Sequence, residues 1–352
     1  MSLCSRFRVT VALLCLGMPP SWAAFEQSIK VCQNPTPAQK ATLSYLAKEV
    51  RQTYEPSQCA ALYETLATAE KLGFLPSNYD DLDLAPFAEL TQLKSLYILR
   101  SNQIDLTPLK ELKNLEEFTL KARQITNVQV VAGLTSLKIL SLNRNMNAQP
   151  PLTPLNLTFL TTLTQLEKLD LSENAIDDIT PLVHLTRLRR LSLSSNHQIS
   201  DIRPLSKLLA LENLGLLGNK VSDIRPLQHL TQLKTLSLIN NKVRDLTPLA
   251  GLTALEQLYL DNNAIEDLAA LKGLANLREL SFISNRVRDV SPLQPLKQLK
   301  SISMASNRIE VVSALSPLAS LPQLRHLSIF DNPLRDCPSG KVVKIDHGFQ
   351  CQ

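Results

Sequence analysis

A chain of 352 residues with 37 basic and 32 acidic side chains carries a net charge of only +5, and no basic block concentrates it. With aromatics at 5%, composition offers nucleic acid neither a charged track nor a stacking platform, so that class of partner is excluded. Length alone would suggest two or three ordinary domains, but a fixed internal period overrides this, because each unit of a repeat stack touches only its neighbours.

The start of the chain reads as an export signal. Arg6 and Arg8 precede a ten-residue apolar run at 9–18, which is too short to span a bilayer. Ser21-Trp22-Ala23 then puts small residues where a signal peptidase reads, so residues 1–23 are expected to be removed, with Ala24 as the alternative cleavage point. Leu14 stands before Cys15 where a lipid-attachment site wants a small residue, which argues against a lipoprotein. The chain ends Phe349-Gln-Cys351-Gln352 with neither an apolar tail nor a sorting motif. The expected product is exported, secreted or periplasmic, with no membrane span, and monomeric.

Cleavage removes Cys4 and Cys15 and leaves Cys32, Cys59, Cys337 and Cys351. An even number of cysteines in an exported chain reads as disulfides. In a solenoid the two ends stand far apart: ten steps at the strand spacing of about 4.8 Å come to roughly 50 Å. Only Cys32–Cys59 and Cys337–Cys351 are then within bonding reach. A Cys/His zinc site is not expected, because the spacings are wrong and the five histidines do not gather near the cysteines.

Residues 24–82 lack the repeat and form a helical N-terminal cap. Pro37 opens a helix pattern with Leu43, Leu46 and Val50 at helical spacing. Pro56 opens a second, in which Cys59, Leu62, Leu66 and Ala69 share a face and Gly73 is the expected stop. Such a lid covers the apolar edge that the first coil would otherwise expose.

The repeats occupy residues 83–332. A half-coil opens at Asp83, and complete coils begin at Leu93, Leu115, Leu137, Leu166, Leu188, Leu211, Leu233, Leu255, Leu277, Leu299 and Leu324. The step is 22 residues except from Leu137 to Leu166 (29), Leu188 to Leu211 (23) and Leu299 to Leu324 (25). In the unit at Leu166, Leu169 and Leu171 alternate as a short strand. Asn174 turns the chain, and its stacked copies (Asn145, Asn196, Asn219, Asn241, Asn263, Asn285, Asn307, Asn332) form an amide ladder. Ile176, Ile179, Leu182 and Leu185 fill the interior, each contributing about 1.5–3 kcal/mol on burial. Asp178 and Pro181 start a single helical turn. Residues 333–352 form a C-terminal cap.

The line Leu-x-x-Leu-x-Leu-x-x-Asn-x-Ile-x-Asp-Ile-x-Pro-Leu-x-x-Leu resembles the leucine-rich repeat, in the 22-residue form of bacterial internalins and eukaryotic phosphatase-regulatory proteins. The resemblance implies an α/β solenoid. It would be a right-handed horseshoe with a parallel β-sheet on the concave face and short 3-10 or helical turns on the convex face. It also implies that the concave face binds another protein. No sorting tail or immunoglobulin-like segment follows the repeats, so cell-wall attachment is not expected.

The Asp column (Asp178, Asp201, Asp223, Asp245, Asp267, Asp289) could suggest acid–base chemistry, but one residue per coil is explained by capping, and no unique partner singles out a catalytic group. Neither a catalytic residue, a metal site nor a cofactor is expected. Recognition belongs instead to the strand positions that the repeat leaves free. The candidate contact residues are Tyr97, Leu99, Lys121, Asp170, Leu217, Ile239, Tyr259, Asp261, Ile283 and Phe330. Leu217, Ile239, Ile283 and Phe330 read as an exposed apolar stripe, with Lys234, Glu256 and Arg278 on its rim. The proline-rich insertion at 146–152 is a second candidate. The expected function is an exported, non-enzymatic protein-recognition module, with host interaction as one setting. A binder of cell-envelope polysaccharide is the alternative, and a targeting subunit of an enzyme is the weakest reading.

Overall fold

The computed structural model describes residues 22–76, 81–144, 154–337, 342–345 and 348–351, with side chains from 28 to 337. The signal region up to residue 21, the ladder position Asn145 and the insertion at 146–152 lie outside the described residues.

Twelve parallel strands form one sheet in strict chain order. They are β1 (Lys71–Phe74), β2 (Ser95–Asp105), β3 (Glu117–Thr126), β4 (Ile139–Arg144), β5 (Lys168–Asp170), β6 (Arg190–Ser192), β7 (Asn213–Gly215), β8 (Thr235–Ser237), β9 (Gln257–Tyr259), β10 (Glu279–Ser281), β11 (Ser301–Ser303) and β12 (His326–Ser328). A short 3-10 turn follows each of β2 to β11 on the opposite side, as at Thr180–His184 and Arg203–Lys207. This is the right-handed leucine-rich-repeat horseshoe that the period predicts. The leucines of each coil form one continuous core from cap to cap, most of them wholly buried.

Eleven of the strands follow the coil starts read from the sequence, but β1 does not. Helix α1 (Trp22–Gln33), helix α2 (Pro37–Glu49) and helix α3 (Cys59–Leu66) form the cap, and the chain then enters the sheet through β1. The expected second helix therefore ends at Leu66 and not at Gly73. Gly73 lies inside β1, paired with Tyr97 of β2. A Cβ at Gly73 would lie 2.3 Å from the Tyr97 ring, so glycine is what allows the ring to lie flat on the sheet. The cap is locked by the Cys32–Cys59 disulfide. It is joined to the first coil by the Tyr63 hydroxyl, which donates to the Pro86 carbonyl at 2.9 Å. Helix α2 has a complete capping box, with the Thr36 hydroxyl accepting from Gln39 N and the Gln39 side chain accepting from Thr36 N.

The amide ladder forms as expected. Asn241 Nδ2 donates to Leu216 O at 2.8 Å and Leu238 O at 3.1 Å, while its Oδ1 accepts from Val221 N at 2.9 Å. Asn196, Asn263, Asn285, Asn307 and Asn332 repeat this bonding one coil at a time. The residue before each described ladder Asn is left-handed, most often Ser or Asn: Glu173, Ser195, Gly218, Asn240, Asn262, Ser284, Ser306 and Asp331.

Two irregular steps disturb the ladder. The extra residue at His197 places Ile199 three residues after its ladder Asn instead of two; Lys220 N still takes the Ile199 carbonyl as in the regular coils, but the buried Asn219 Oδ1 has no donor among the described residues. At the 29-residue step the buried Arg144 guanidinium donates from Nε to Asn174 Oδ1 at 3.0 Å and also reaches Asn174 O. Burial pushes that guanidinium's pKa down. The 25-residue step is taken up by a 3-10 turn at Val312–Leu315 running into helix α4 (Ser316–Ala319). Strands β13 (Val342–Ile345) and β14 (Gly348–Cys351) then pair as an antiparallel hairpin. Cys337 is disulfide-bonded, and the side chain of its expected partner Cys351 lies outside the described residues.

The Asp column caps as expected, but from one position further out. Each carboxylate closes an Asx turn onto the first residue of its 3-10 turn, as Asp178 Oδ1 does with Thr180 N at 2.8 Å and Asp267 with Ala269 N at 2.7 Å. Asn156 does the same for Thr158 after the insertion.

Candidate functional site

The free strand positions form two straight columns on the concave face. The first pairs residue by residue across the sheet: Gly73, Tyr97, Thr119, Ser141, Asp170, Ser192, Gly215, Ser237, Tyr259, Ser281, Ser303 and Ser328. The second lies two residues further along each strand, from Leu99 and Lys121 to Phe330. Leu75 adds to it: it follows Phe74, the partner of Ile98, and so continues the row beside Leu99.

Much of the middle of this face is polar and bonded to itself. Asp170 Oδ1 accepts from Ser172 N at 3.0 Å and from Ser172 Oγ at 2.6 Å. Ser172 Oγ lies 2.8 Å from Ser192 Oγ, which donates onward to Ser194 Oγ at 3.3 Å. Gly215 closes the row, because a Cβ there would lie 3.1 Å from Ser194 Oγ and 3.2 Å from Ser192 Oγ. Asp261 is similarly occupied, accepting from Ile283 N at 2.6 Å and from the Ser281 hydroxyl. Lys121 reaches Glu173 at 4.0 Å. Tyr259 donates its hydroxyl to Glu279 Oε2 at 2.6 Å. Burial and then the Glu279 carboxylate push its pKa up to about 12.

The apolar members of the candidate set divide into two groups. Leu217, Ile239 and Ile283 are half-buried rather than exposed, because neighbouring coils crowd them in the concavity. Large apolar exposure concentrates instead at the two ends of the face. Leu75 is 58% exposed, with Tyr97 at 36% and Leu99 at 37%, and Phe330 at the far end is 61% exposed. Sequence reading missed Leu75 because β1 carries no repeat signature.

One rim of the face holds a second pattern that sequence reading met only in part. The residue after the first leucine of each coil, extended into the cap, reads Glu70, Lys94, Glu116, Lys138, Glu167, Arg189, Glu212, Lys234, Glu256, Arg278, Lys300 and Arg325. Backbone bonds connect every neighbouring pair in this row, from Lys94 N to Glu70 O through to Arg325 N to Lys300 O. Ten members alternate in sign. Ion pairs form at Lys94–Glu70 (2.8 Å), Lys138–Glu116 (2.7 Å), Lys234–Glu212 (2.9 Å) and Arg278–Glu256 (3.3 Å), with Arg189 also on Glu212. The signal was present in the sequence: aligning the coils on their first leucine displays it.

Among the described residues there is no group of three or more His, Cys, Asp or Glu side chains placed to hold a metal ion, and no helix long and apolar enough to cross a membrane.

The leucine-rich-repeat family model (two-copy form) matches residues 164–207, 186–229, 209–251 and 231–273. No curated protein matches the chain. Among solved structures, an internalin, InlF, from Listeria monocytogenes is 28% identical, with 88% of this chain and 82% of that chain covered at a TM-score of 0.67. The functional domain of InlJ from the same organism is 22% identical over 84% of this chain and 70% of that one, TM-score 0.59. A leucine-rich-repeat protein of Leptospira interrogans is 19% identical over 92% and 96%, TM-score 0.56. The last two show the shared fold. The 22-residue period, the twelve-stranded parallel sheet and these matches agree: the chain is a leucine-rich-repeat protein of the internalin-like type.

Proposed function

We propose that this protein is an exported, non-enzymatic recognition module that binds a protein partner through the concave sheet. The observation that carries this reading is the concentration of exposed Leu75, Tyr97, Leu99 and Phe330 at the two ends of a rigid face whose middle is polar. Apolar and aromatic groups standing in water on a rigid sheet are binding anchors, because ordering them on association costs little entropy. Export is supported by the signal-like N-terminus and by the Cys32–Cys59 bridge, which persists in an oxidising compartment. The internalin likeness supports host interaction as the setting.

The glycan-binding reading draws on the hydroxyl-rich middle, but those hydroxyls already bond one another. The deciding experiment immobilises the wild type and a Leu75→Ser, Leu99→Ser, Phe330→Ser variant. Both are exposed to envelope and host-cell lysates, and both are run on a glycan array. Protein capture by the wild type alone supports the proposal. Equal capture by the variant, or glycan binding without protein capture, contradicts it.

A further inference from the structure

The rim column of charges alternates over ten members, from Glu70 in the cap through nine coils, and then stops alternating. After Arg278, which pairs with Glu256, come Lys300 and Arg325 in the two next coils. Both are exposed, and neither has an acidic side chain within ion-pair distance among the described residues. Like charges on neighbouring strands repel, so this end of the column gives up stability that every earlier cation of the row takes from a glutamate. The earlier coils also show what satisfies a cation in this row: a glutamate carboxylate one strand away, at 2.7–3.3 Å for the lysines and Arg278. The exposed Phe330 lies on the concave face of the Arg325 coil, and the half-buried Ile283 on that of the Arg278 coil.

We infer that Lys300 and Arg325 form a docking surface for an acidic polypeptide segment, whose carboxylates complete the interrupted column while an apolar side chain of the same segment meets Phe330. The inference rests on the concave face being a protein-binding surface and specifies the chemistry of what binds at its C-terminal end. A polypeptide fits better than a sulfated glycan, because the partners that the column uses are carboxylates and the adjoining surface is apolar.

Substituting Lys300→Glu tests this directly, since it restores strict alternation. The full chain is titrated against a labelled poly-L-glutamate, with heparin and phosphatidylglycerol vesicles as parallel probes. Lys272→Glu, an exposed lysine outside the rim column, controls for net charge. The wild type is expected to bind poly-L-glutamate in a salt-sensitive manner, and Lys300→Glu to bind about tenfold more weakly or worse, with the control unchanged. The melting temperature of Lys300→Glu is expected to hold or rise, which also establishes that the variant is folded. The inference is overturned if Lys300→Glu leaves poly-L-glutamate binding intact, if Lys272→Glu weakens it equally, if heparin or vesicles bind in its place, or if the melting temperature falls. The probe does not involve the natural partner, so those failures leave the lysate experiment standing. Absence of lysate capture by the wild type, with its poly-L-glutamate binding intact and dependent on Lys300, would instead count against the broader reading.

Discussion

The middle and the ends of the concave sheet use their side chains in opposite ways. In the middle, Asp170, Ser172, Ser192 and Ser194 bond to one another, and Asp261 braces the next coil. At the ends, Leu75, Tyr97, Leu99 and Phe330 face water, and Lys300 and Arg325 have no counter-charge among the described residues. A solenoid makes such a division cheap. Each coil is stabilised chiefly by its leucines and ladder amide, so its surface positions can vary with little effect on the fold.

If that division is correct, substitutions in the coil frame should reduce stability, and substitutions at the ends should reduce only binding. The largest loss is expected at Asn241→Ala, which strands the amide of Val221 and takes one of two amide donors from each of the Leu216 and Leu238 carbonyls, which keep Asn219 and Asn263. Urea unfolding should register about 3 kcal/mol, given that each buried unsatisfied group costs about 1–3 kcal/mol. Arg144→Leu comes next, at about 2 kcal/mol in the same assay, because Asn174 Oδ1 loses its donor.

Deleting His197 should act in the opposite direction. It returns Ile199 to register with the orphaned Asn219 Oδ1 and should raise stability by about 1 kcal/mol. A fall in stability would show that the extra residue has a packing role.

The smallest effect is expected on the convex side. The hydrogen bond from the Arg225 side chain, and then that from its backbone N–H, hold the Asp223 carboxyl at about 2, below its usual 3.8. A depressed carboxylate contributes stability above its unfolded value and loses it as pH falls through its folded value. The Asp223→Ala variant should therefore differ from wild type at neutral pH and converge with it between pH 3.8 and 2, as measured by urea midpoints across that range. A constant difference would contradict the assignment.

Much of the frame was legible because it is periodic. Leu166, Asn174, Asp178 and Pro181 recur at fixed offsets, and each offset has one physical role. What could not be read was aperiodic. Strand β1 lacks the leucine pattern, so Gly73 read as a helix stop and Leu75 was not seen as part of the concave face. The exposure of Leu217, Ile239 and Ile283 was overestimated, because column position says which way a side chain points but not how far its neighbours cover it. The rim column was periodic and still met only in part, through Lys234, Glu256 and Arg278, because its period lies in the sign of the charge and not in residue identity.

The most direct test of the account is a photo-crosslinking scan. A benzophenone amino acid is placed singly at Leu99, Ser192, Phe330 and Leu209, the last being a 54% exposed residue in the turn between Lys207 and Leu211, outside the concave columns. The account predicts crosslinks to one protein partner from Leu99 and Phe330, with few or none from Ser192 and none from Leu209. Crosslinking centred on Leu209, or none from either end of the concave face, would contradict it.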